Sequence, residues 1–181
     1  MDDILKPIME RRSIRKYDTR PIPEEALQHL LEAVKWAPSW ANTQCWEVIV
    51  VKDAAARARL QATVPQKENP AFKAIVQAPV VLALCGKRHV SGYYKDAAVT
   101  KFGDWMMFDL GIATQNICLS AHAMGLATVI VGLFDHIKAA EAMQVPEGFE
   151  LVAMIPVGYP AKRGSAPKRR EIGDFTHYDK W

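Results

Sequence analysis

The chain has 181 residues, of which 50% are hydrophobic and 24% are charged, a balance that excludes a disordered protein and suits one full-sized core. The net charge of +3 does not indicate a general polyanion binder. The cations are nevertheless clustered towards the two ends of the chain, which predicts a local anion-binding site. The clusters comprise Arg11, Arg12, Arg15, Lys16 and Arg20, and then Lys162, Arg163, Lys168, Arg169 and Arg170.

The first predicted elements are two helices on either side of the N-terminal basic cluster. Pro7 suits the first turn of a helix because proline has no N–H to leave unbonded, so a short helix is predicted to start near Lys6. Pro23 is followed by two glutamates and predicts a second helix start, since carboxylates favour the positive helix end. Pro38 predicts that this helix ends at or before Ala37.

Four continuously apolar runs predict strands, and they begin at Trp46, Pro79, Ala127 and Leu151. Because polar residues do not alternate within the runs, both faces of the predicted sheet should be covered. Further helices are predicted over residues 54–62, 71–77, 103–124 and 136–143. The helix over residues 103–124 is apolar almost all round, which is typical of a buried helix or a subunit interface.

The cysteines and the apolar runs also predict the cellular location of the protein. Cys45, Cys85 and Cys118 form no CxxC pair, which predicts neither a disulfide framework nor a zinc site. The N-terminal residues lack the basic and apolar pattern of a secretory signal. The apolar run from Leu110 contains polar side chains and is divided by Gly125, which favours buried helix and strand over a membrane span. We therefore expect a cytoplasmic protein with no membrane contact and no metal.

The sequence contains no motif that would supply reactive groups of its own. The five histidines lack HExxH spacing, and each is expected to be a surface or core residue. GxSxG, GxGxxG and GxxxxGK(S/T) are absent, which removes the common hydrolase, nicotinamide-dinucleotide and P-loop interpretations. An enzyme of this composition would therefore depend on a bound cofactor for its chemistry.

Two stretches carry polar groups suited to a ligand. In RRSIRKYD, residues 11–18, arginine forks suit a phosphate, and residues 11, 13 and 15 share one side if the stretch is extended. The alternative is a solvated helix end, where the helix dipole favours cations. In APSWANTQCW, residues 37–46, short polar side chains lie in a predicted loop, and the alternative is a plain helix-to-strand connection.

These stretches, followed by AHAMGLATVIVGLFD and by IPVGYP with PKRR, occur in the order found in the nitroreductase family. The sequence resembles a short, FMN-dependent member of that family over nearly its whole length. The resemblance implies an α+β fold with a central, mostly antiparallel or mixed β-sheet covered by helices on both faces. It also implies a single domain over residues 1–181 and an intertwined homodimer with FMN at the subunit interface. The C-terminal tail, about residues 160–181, would wrap the partner.

The resemblance can be carried over residue by residue. The FMN-binding residues that it implies are Arg11, Arg12, Ser13, Arg15, Pro38, Ser39, Asn42, Asn69, Val131, Gly132, Lys168 and Arg170. Arg11 and Ser13 are expected on the phosphate. Lys168 and Arg170 are expected to complete that site, so that the two basic clusters converge on one anion.

The flavin ring is expected to meet a different group of these residues. Arg15 is expected near the N1/O2 side, where the reduced flavin gains negative charge. The backbone N–H groups of Val131 and Gly132 are expected to approach N5 and O4. Asn69 is expected to contact the ring or the ribityl chain.

The loop after the second helix is expected to reach the flavin of the other subunit, through Pro38, Ser39 and Asn42. Trp40 stands where many relatives carry a small residue, so this wall of the pocket should be narrower or more aromatic. Cys45 replaces a proline common before the tryptophan, which leaves the loop less rigid. Residues 87–102 match no family motif. Their two tyrosines, Tyr93 and Tyr94, either contact the substrate above the ring or lie half-buried on a surface helix.

The resemblance implies an FMN-dependent NAD(P)H oxidoreductase that works by alternating half-reactions. Hydride would pass through flavin N5 to a nitroaromatic, a quinone or a similar small-molecule acceptor, with no obligatory side-chain acid or base. One alternative is another flavin reaction of the family: reductive dehalogenation, dehydrogenation or flavin cleavage. Another is a non-enzymatic protein that binds flavin or a phosphorylated ligand. Nucleic acid is not expected as a partner, because the small net charge gives no broad basic surface.

Overall fold

The computed structural model of the chain describes residues 2–162 and 164–181, so that Arg163 of the second basic cluster lies outside the described residues. This part of the chain forms an α+β fold of six helices, a four-stranded sheet and a small hairpin. The helices are α1 (Asp2–Glu10), α2 (Glu24–Lys35), α3 (Ala54–Ala62), α4 (Ala74–Gln77), α5 (Met106–Ala123) and α6 (His136–Ala142). The strands are β1 (Trp46–Val51), β2 (Val80–Lys87), β3 (Tyr93–Tyr94), β4 (Ala97–Ala98), β5 (Ala127–Thr128) and β6 (Phe149–Gly158).

The sheet has the order β1-β2-β6-β5, and every strand pair in it is antiparallel. On β2, alternate side chains belong to two separate cores. Val80, Leu82 and Leu84 pack with α2 and α5, whereas Val81, Ala83 and Cys85 pack with α3, α4 and α6. Since successive strand residues point to opposite faces, a continuously apolar strand requires cover on both. The predicted sheet covered by helices on both faces is confirmed.

The predicted starts of α2 and α3 are confirmed. Glu24 and Glu25 occupy the first turn of α2, which ends at Lys35, before Pro38 as predicted. The carboxylate of Asp53 accepts from the backbone N–H of Ala56 at 2.7 Å and caps α3. A carboxylate at this position satisfies one of the N–H groups that a helix start leaves unbonded.

Several predicted boundaries are wrong, and the helix predicted from residue 103 begins at Met106. Helix α1 begins at Asp2 rather than near Lys6, and Pro7 lies inside it. The helix continues because only one hydrogen bond is lost there, and the N–H of Arg11 still donates to the carbonyl of Pro7 at 3.0 Å. The predicted helix over residues 71–77 is regular only from Ala74, and the strand predicted from Ala127 has only two regular residues.

Residues 87–102 contain a hairpin, so the surface helix considered for them is wrong. Tyr93 and Tyr94 pair with Ala98 and Ala97. The two turn residues between them, Lys95 and Asp96, have φ of 48° and 62°. Two successive positive φ values are what a two-residue hairpin turn of type I′ requires, and tyrosine favours strands.

Candidate functional site

The N-terminal basic cluster is extended beyond α1 and joins the edge of the sheet. The N–H of Ile14 donates to the carbonyl of Thr128 at 2.9 Å, and the N–H of Asp18 donates to the carbonyl of Tyr159 at 3.0 Å. Ile14 and Tyr17 are buried, whereas Ser13 and Arg15 are exposed. Of the two interpretations of RRSIRKYD, the extended segment is therefore the one the fold adopts, with Ser13 and Arg15 outside.

Arg11 and Arg12 lie at the C-terminal end of α1 and line a cleft. The guanidinium of Arg12 donates to the carbonyls of Met9 and Arg11, at 2.6 and 2.7 Å, and so closes the C-terminal end of α1. A cation is favoured at that end by the helix dipole. Both arginines line a cleft of about 280 Å³ between α1, the end of α5 and the start of β5. The cleft residues include Glu10, Arg11, Arg12, Cys118, His122, Thr128 and Pro160.

Two buried side chains in the wall of the cleft bear on its chemistry. The hydroxyl oxygen of Thr128 is buried, lies close to the thiol of Cys118 and forms no regular hydrogen bond among the described residues. Such a group is rare in a folded protein and indicates a site that a ligand or water completes. Burial raises the pKa of the Cys118 thiol, and the adjacent hydroxyl of Thr128 and then the positive charge of Arg11 act in the opposite direction. The electrostatic effect of Arg11 therefore extends to the base of the cleft.

The chain beyond β5 presents both a free donor and an apolar surface. Val131 exchanges both backbone hydrogen bonds with Met154, each at 2.9 Å, so its N–H is already donated within the fold. The N–H of Gly132, the other predicted flavin contact, has no partner among the described residues. Ile130 is 47% exposed, and residues 129 and 130 lie outside the ladder with β6. This segment and Ser13 meet at the same sheet edge, through the Ser13–Thr128 bridge.

The side chain of Asn69 forms a hydrogen bond to the segment that follows β5. Its side-chain amide donates to the carbonyl of Leu133 at 2.9 Å, and its carbonyl oxygen accepts from the N–H of Ala71 at 2.9 Å. The residue is buried. Asn69 therefore contacts Leu133, the residue after Gly132, with its polar atoms engaged inside the chain, and a contact to flavin stays a prediction.

The loop after α2 is held in an unusual conformation. Ala41, Asn42 and Gln44 all have positive φ, between 44° and 56°. The hydroxyl of Ser39 accepts from the N–H of Gln44 at 2.9 Å, and the side-chain carbonyl of Asn42 accepts from the side-chain amide of Gln44 at 3.2 Å. Positive φ is uncommon outside glycine and persists only where surrounding contacts impose it. The loop, including exposed Pro38, is thus a shaped element rather than a plain connection.

Asp109 on α5 anchors this loop, and the sequence analysis missed it. The residue is 1% exposed, and its carboxylate accepts from the N–H of Trp40, at 3.1 and 3.3 Å, and from the hydroxyl of Ser91 at 2.7 Å. The thiol of Cys45 lies 3.5 Å away. Burial and then the charge of Asp109 raise the pKa of Cys45 to about 12. The available signal was a single carboxylate within the apolar sequence of α5.

An aromatic cluster lies beside this anchor. The rings of Trp40 and Trp105 are 5.2 Å apart, and Phe108 packs edge-on to Trp105 at 5.3 Å. The indole N–H of Trp105 donates to the hydroxyl of Thr100 at 2.7 Å. Trp40 therefore belongs to a cluster of several rings, and its place in the wall of a flavin pocket stays a prediction. In the hairpin, Tyr94 is exposed, and the ring of Tyr93 lies 5.0 Å from His89.

The C-terminal basic pair does not join the cleft of its own chain. Lys168 and Arg170 are exposed, and the guanidinium of Arg170 donates to the carbonyl of Asp174 and lies over the ring of Phe175. Their expected role at the phosphate therefore stays a prediction. Within the described residues no group of three histidines, cysteines or carboxylates could hold a metal ion. None of the described helices combines the length and apolar character that crossing a membrane demands.

The fold and the site define an α+β protein. At one edge of its sheet, the cleft lined by Arg11 and Arg12 adjoins the segment that exposes the apolar side chain of Ile130. The sequence profile of the nitroreductase family matches residues 8–159, and the chain belongs to that family. It is 32% identical to a protein of Methanothermobacter thermautotrophicus named "Putative NADH dehydrogenase/NAD(P)H nitroreductase", over 99% of this chain and 88% of that one. It is 28% identical to the FMN reductase (NAD(P)H) of Bacillus subtilis, over 99% and 74%.

Similar proteins extend to solved structures and to other named activities. The nitroreductase family protein of Streptococcus pneumoniae has a TM-score of 0.85 to this chain, at 18% identity, over 97% of this chain and 100% of its own. That likeness shows the fold. A more distant relative, the iodotyrosine deiodinase of Nematostella vectensis, is 22% identical over 91% of this chain and 70% of its own. The family is therefore diverse in the reactions its members carry out.

Proposed function

We propose that this protein is an FMN-dependent oxidoreductase that takes electrons from NAD(P)H and passes them to a small aromatic acceptor such as a nitroaromatic or a quinone. The observation that carries the proposal is the register of Ser13 with Thr128. It brings the basic segment of residues 11–15 to the same sheet edge as Ile130 and Gly132. A phosphate group and a flat ring could then be held by one continuous edge.

The residues at this edge fit FMN chemically. Arg11 supplies a planar fork for a phosphate at the cleft, whose wall contains the buried hydroxyl of Thr128. Exposed Ile130 offers an apolar surface for a ring, and Gly132 offers a free N–H. FMN, when bound, supplies the hydride chemistry that this sequence lacks side chains to perform.

The residues of the chain would then act by binding and by electrostatics. Arg11 and Ser13, with Arg12 behind them, would hold the phosphate end. Arg15, exposed beside Ser13, would place a positive charge where negative charge develops on reduction. The N–H of Gly132 would donate to the ring. No side chain of the site would need to carry a proton, since positioning and charge stabilisation are sufficient contributions.

The protein is proposed to act as a homodimer of single-domain subunits. Large apolar side chains are exposed on α1, on α5 and along the tail, which is unfavourable for an isolated subunit. They include Ile4, Leu5, Ile8, Met9, Met107, Phe108, Ile172, Phe175, Tyr178 and Trp181. A partner would cover these surfaces, receive the tail with Lys168 and Arg170, and place its own Pro38, Ser39 and Asn42 at this flavin.

The test is the visible absorption spectrum of the purified protein, recorded without oxygen before and after addition of NADH and then NADPH. Oxidised-flavin bands that bleach with either donor are the expected result. Bands that persist with both would favour the non-enzymatic flavin-binding alternative. A protein that has no bands and takes up no added FMN would contradict the proposal.

A second candidate is reductive dehalogenation, which the name of the Nematostella vectensis relative favours. It uses the same bound flavin and differs in the acceptor. The reduced protein would be mixed with a nitroaromatic, a quinone and a halogenated phenol in separate anaerobic reactions. Faster reoxidation by the nitroaromatic or the quinone supports the first candidate, and faster reoxidation with release of halide supports the second.

A further inference from the structure

The side chain of Tyr17 packs on the C-terminal end of β6. A Cβ added at Gly158 would lie 3.0 Å from Cδ1 of the tyrosine, so the ring rests directly on this glycine. The side chain is buried, and its hydroxyl is 2.7 Å from the carbonyl oxygen of Ile14 and 3.1 Å from that of Pro156. Tyr17 therefore connects the N-terminal basic segment to the central sheet through its side chain.

The hydroxyl of Tyr17 holds one particular peptide unit. A phenolic hydroxyl has a single proton to donate, and the shorter contact identifies the carbonyl of Ile14 as its main acceptor. That carbonyl belongs to the peptide unit between Ile14 and Arg15, and a peptide unit is planar. The hydrogen bond therefore fixes the orientation of the plane from which Arg15 continues.

The peptide unit on the other side of Ile14 is also held. The N–H of Ile14 donates to the carbonyl of Thr128 at 2.9 Å. Because both neighbouring planes are fixed, both backbone dihedral angles of Ile14 are restrained. The side chain of Ile14 is buried, so Ser13 and Arg15, its exposed neighbours, project from the opposite side of the extended segment.

The positive charge of Arg15 is available to a ligand. Arg15 is exposed and takes part in none of the ion pairs found in the described residues, and its guanidinium lies 3.5 Å from the carbonyl oxygen of Ser13. Burial and then Cys118 raise the pKa of Tyr17, and the charge of Arg15 acts in the opposite direction. The cation is thus within electrostatic reach of the hydroxyl that holds its peptide unit.

We propose that Tyr17 is a positioning residue for Arg15: its hydroxyl holds the peptide unit between Ile14 and Arg15 so that the guanidinium is directed at the ring of bound FMN. The proposal rests on the proposed function in one respect, the place of Arg15 beside that ring. A charge that is already in position stabilises a developing anion more than a charge that must first be ordered. Tyr17 would therefore strengthen the binding of reduced FMN more than that of oxidised FMN.

The first measurement is made on the wild-type protein as purified, so that it depends neither on a variant nor on FMN. Tyrosine is labelled with ¹³C in the ring, and the hydroxyl proton of Tyr17 is sought by NMR. A buried hydroxyl that donates to a carbonyl should exchange slowly with water and give a resonance of its own. A Tyr17 hydroxyl that exchanges as fast as that of Tyr178, which is 84% exposed, would overturn the proposal.

The second measurement is the reduction potential of bound flavin in wild type, Tyr17→Phe, Arg15→Ala and the double variant. Phenylalanine keeps the ring and removes only the hydroxyl. It should weaken binding of reduced FMN relative to oxidised FMN by at least about three-fold, which lowers the potential by about 14 mV for a two-electron couple. In the Arg15→Ala background the same change should leave the potential unaltered, because the charge that Tyr17 positions is gone.

The potential separates positioning from a general structural role. It reports the ratio of the dissociation constants of oxidised and reduced FMN, so a looser fold that weakens both equally leaves it unchanged. Tyr159→Phe is the matched control and should not shift the potential. Tyr159 directly follows β6, its ring lies under Arg20, and its hydroxyl makes no hydrogen bond in the described part of the chain.

Two results of this cycle would overturn the proposal. Equal shifts in both backgrounds would mean that Tyr17 acts without Arg15, and no shift in the wild-type background would mean that its hydroxyl positions nothing that the flavin senses. A wild-type protein that takes up no FMN would instead contradict the proposed function, and with it the role of Arg15 at the ring. The hydroxyl resonance distinguishes these failures, since it tests the hydrogen bond of Tyr17 with or without flavin.

Discussion

The backbone N–H of Trp40 donates to both carboxylate oxygens of Asp109, at 3.1 and 3.3 Å, across 69 residues of sequence. The same carboxylate accepts from the hydroxyl of Ser91. One buried side chain therefore holds the loop after α2 and the segment before α5 to the central helix. Because a buried carboxylate must be satisfied by donors, the three segments are expected to form or separate together.

Asp109→Ala should lower the free energy of unfolding by about 2–4 kcal/mol, since it leaves buried donors without an acceptor. Asp109→Asn keeps one acceptor oxygen and should lose about half as much. Urea denaturation followed by tryptophan fluorescence measures both. Glu141→Gln, which removes an exposed carboxylate from α6, is the control and should leave stability unchanged. Equal stability of all three variants would show that the anchor contributes nothing.

Regular elements were predictable where local sequence decides them. The helix predicted over residues 54–62 is α3, Ala54–Ala62, and the structure shows that its cap is supplied by the preceding residue, Asp53. The four apolar runs likewise predict the strands of the sheet from local sequence alone. The Asp109 anchor was not predictable, since the chain gives no local sign that its donors come from residues 40 and 91. Contacts between residues so far apart in sequence are set only when the chain folds.

The sequence predicts which residues belong to the candidate site, but it does not predict the hydrogen bonds and distances between them. The resemblance places Gly132 and Val131 together, but only the fold shows that the N–H of Val131 is donated to Met154. Similarly, Asn69 is adjacent to the edge while its amide is engaged by Leu133. The partner-dependent part, which includes Lys168 and Arg170, depends on contacts between two chains. These cannot be read from helical or strand periodicity in one sequence.

Arg15→Ala should lower the reduction potential of the bound flavin, because the anionic reduced form loses a nearby positive charge. Loss of about 1 kcal/mol of stabilisation corresponds to about 20 mV for a two-electron couple. Spectro-electrochemical titration measures the potential. Lys16→Ala is the matched control, since it removes an equal charge from the neighbouring exposed position. Arg15 would not be beside the ring if the two variants shifted the potential equally.

Gly132→Ala should weaken FMN binding by about five-fold or more without affecting the fold. A Cβ at Gly132 would meet no atom of the chain within 4 Å, so it would stand free on the exposed edge, where the ring is proposed to lie. Gly158→Ala is the contrasting variant. There the Cβ would lie 2.8 Å from Pro79, which should destabilise the protein by about 1–3 kcal/mol. Equilibrium dialysis with FMN and thermal denaturation distinguish the two effects.

Phe108→Ser should raise the dimer dissociation constant by at least about ten-fold, because the side chain is 61% exposed in one chain and would be buried twice in a symmetric dimer. Sedimentation velocity over a dilution series measures the change. Ile137→Ser is the control, since Ile137 is also exposed but lies on α6, which packs on the opposite face of the sheet. A dimer unaffected by Phe108→Ser would exclude this part of α5 from the interface.

The buried thiols should make the fold less stable at alkaline pH. Burial raises the pKa of Cys45 from 9.0 to about 12 and that of Cys85 to about 11, so both retain protons in the folded chain that the unfolded chain loses above pH 9. Stability due to these groups is complete below pH 9 and is lost as pH rises towards the folded values, by at most about 1.4 kcal/mol per pH unit for each thiol. Urea denaturation of wild type and Cys45→Ala at about pH 7 and about pH 10.5 tests this. The variant should lose less stability over the interval, and an identical loss would mean that the Cys45 thiol ionises as easily in the folded chain as in the unfolded one.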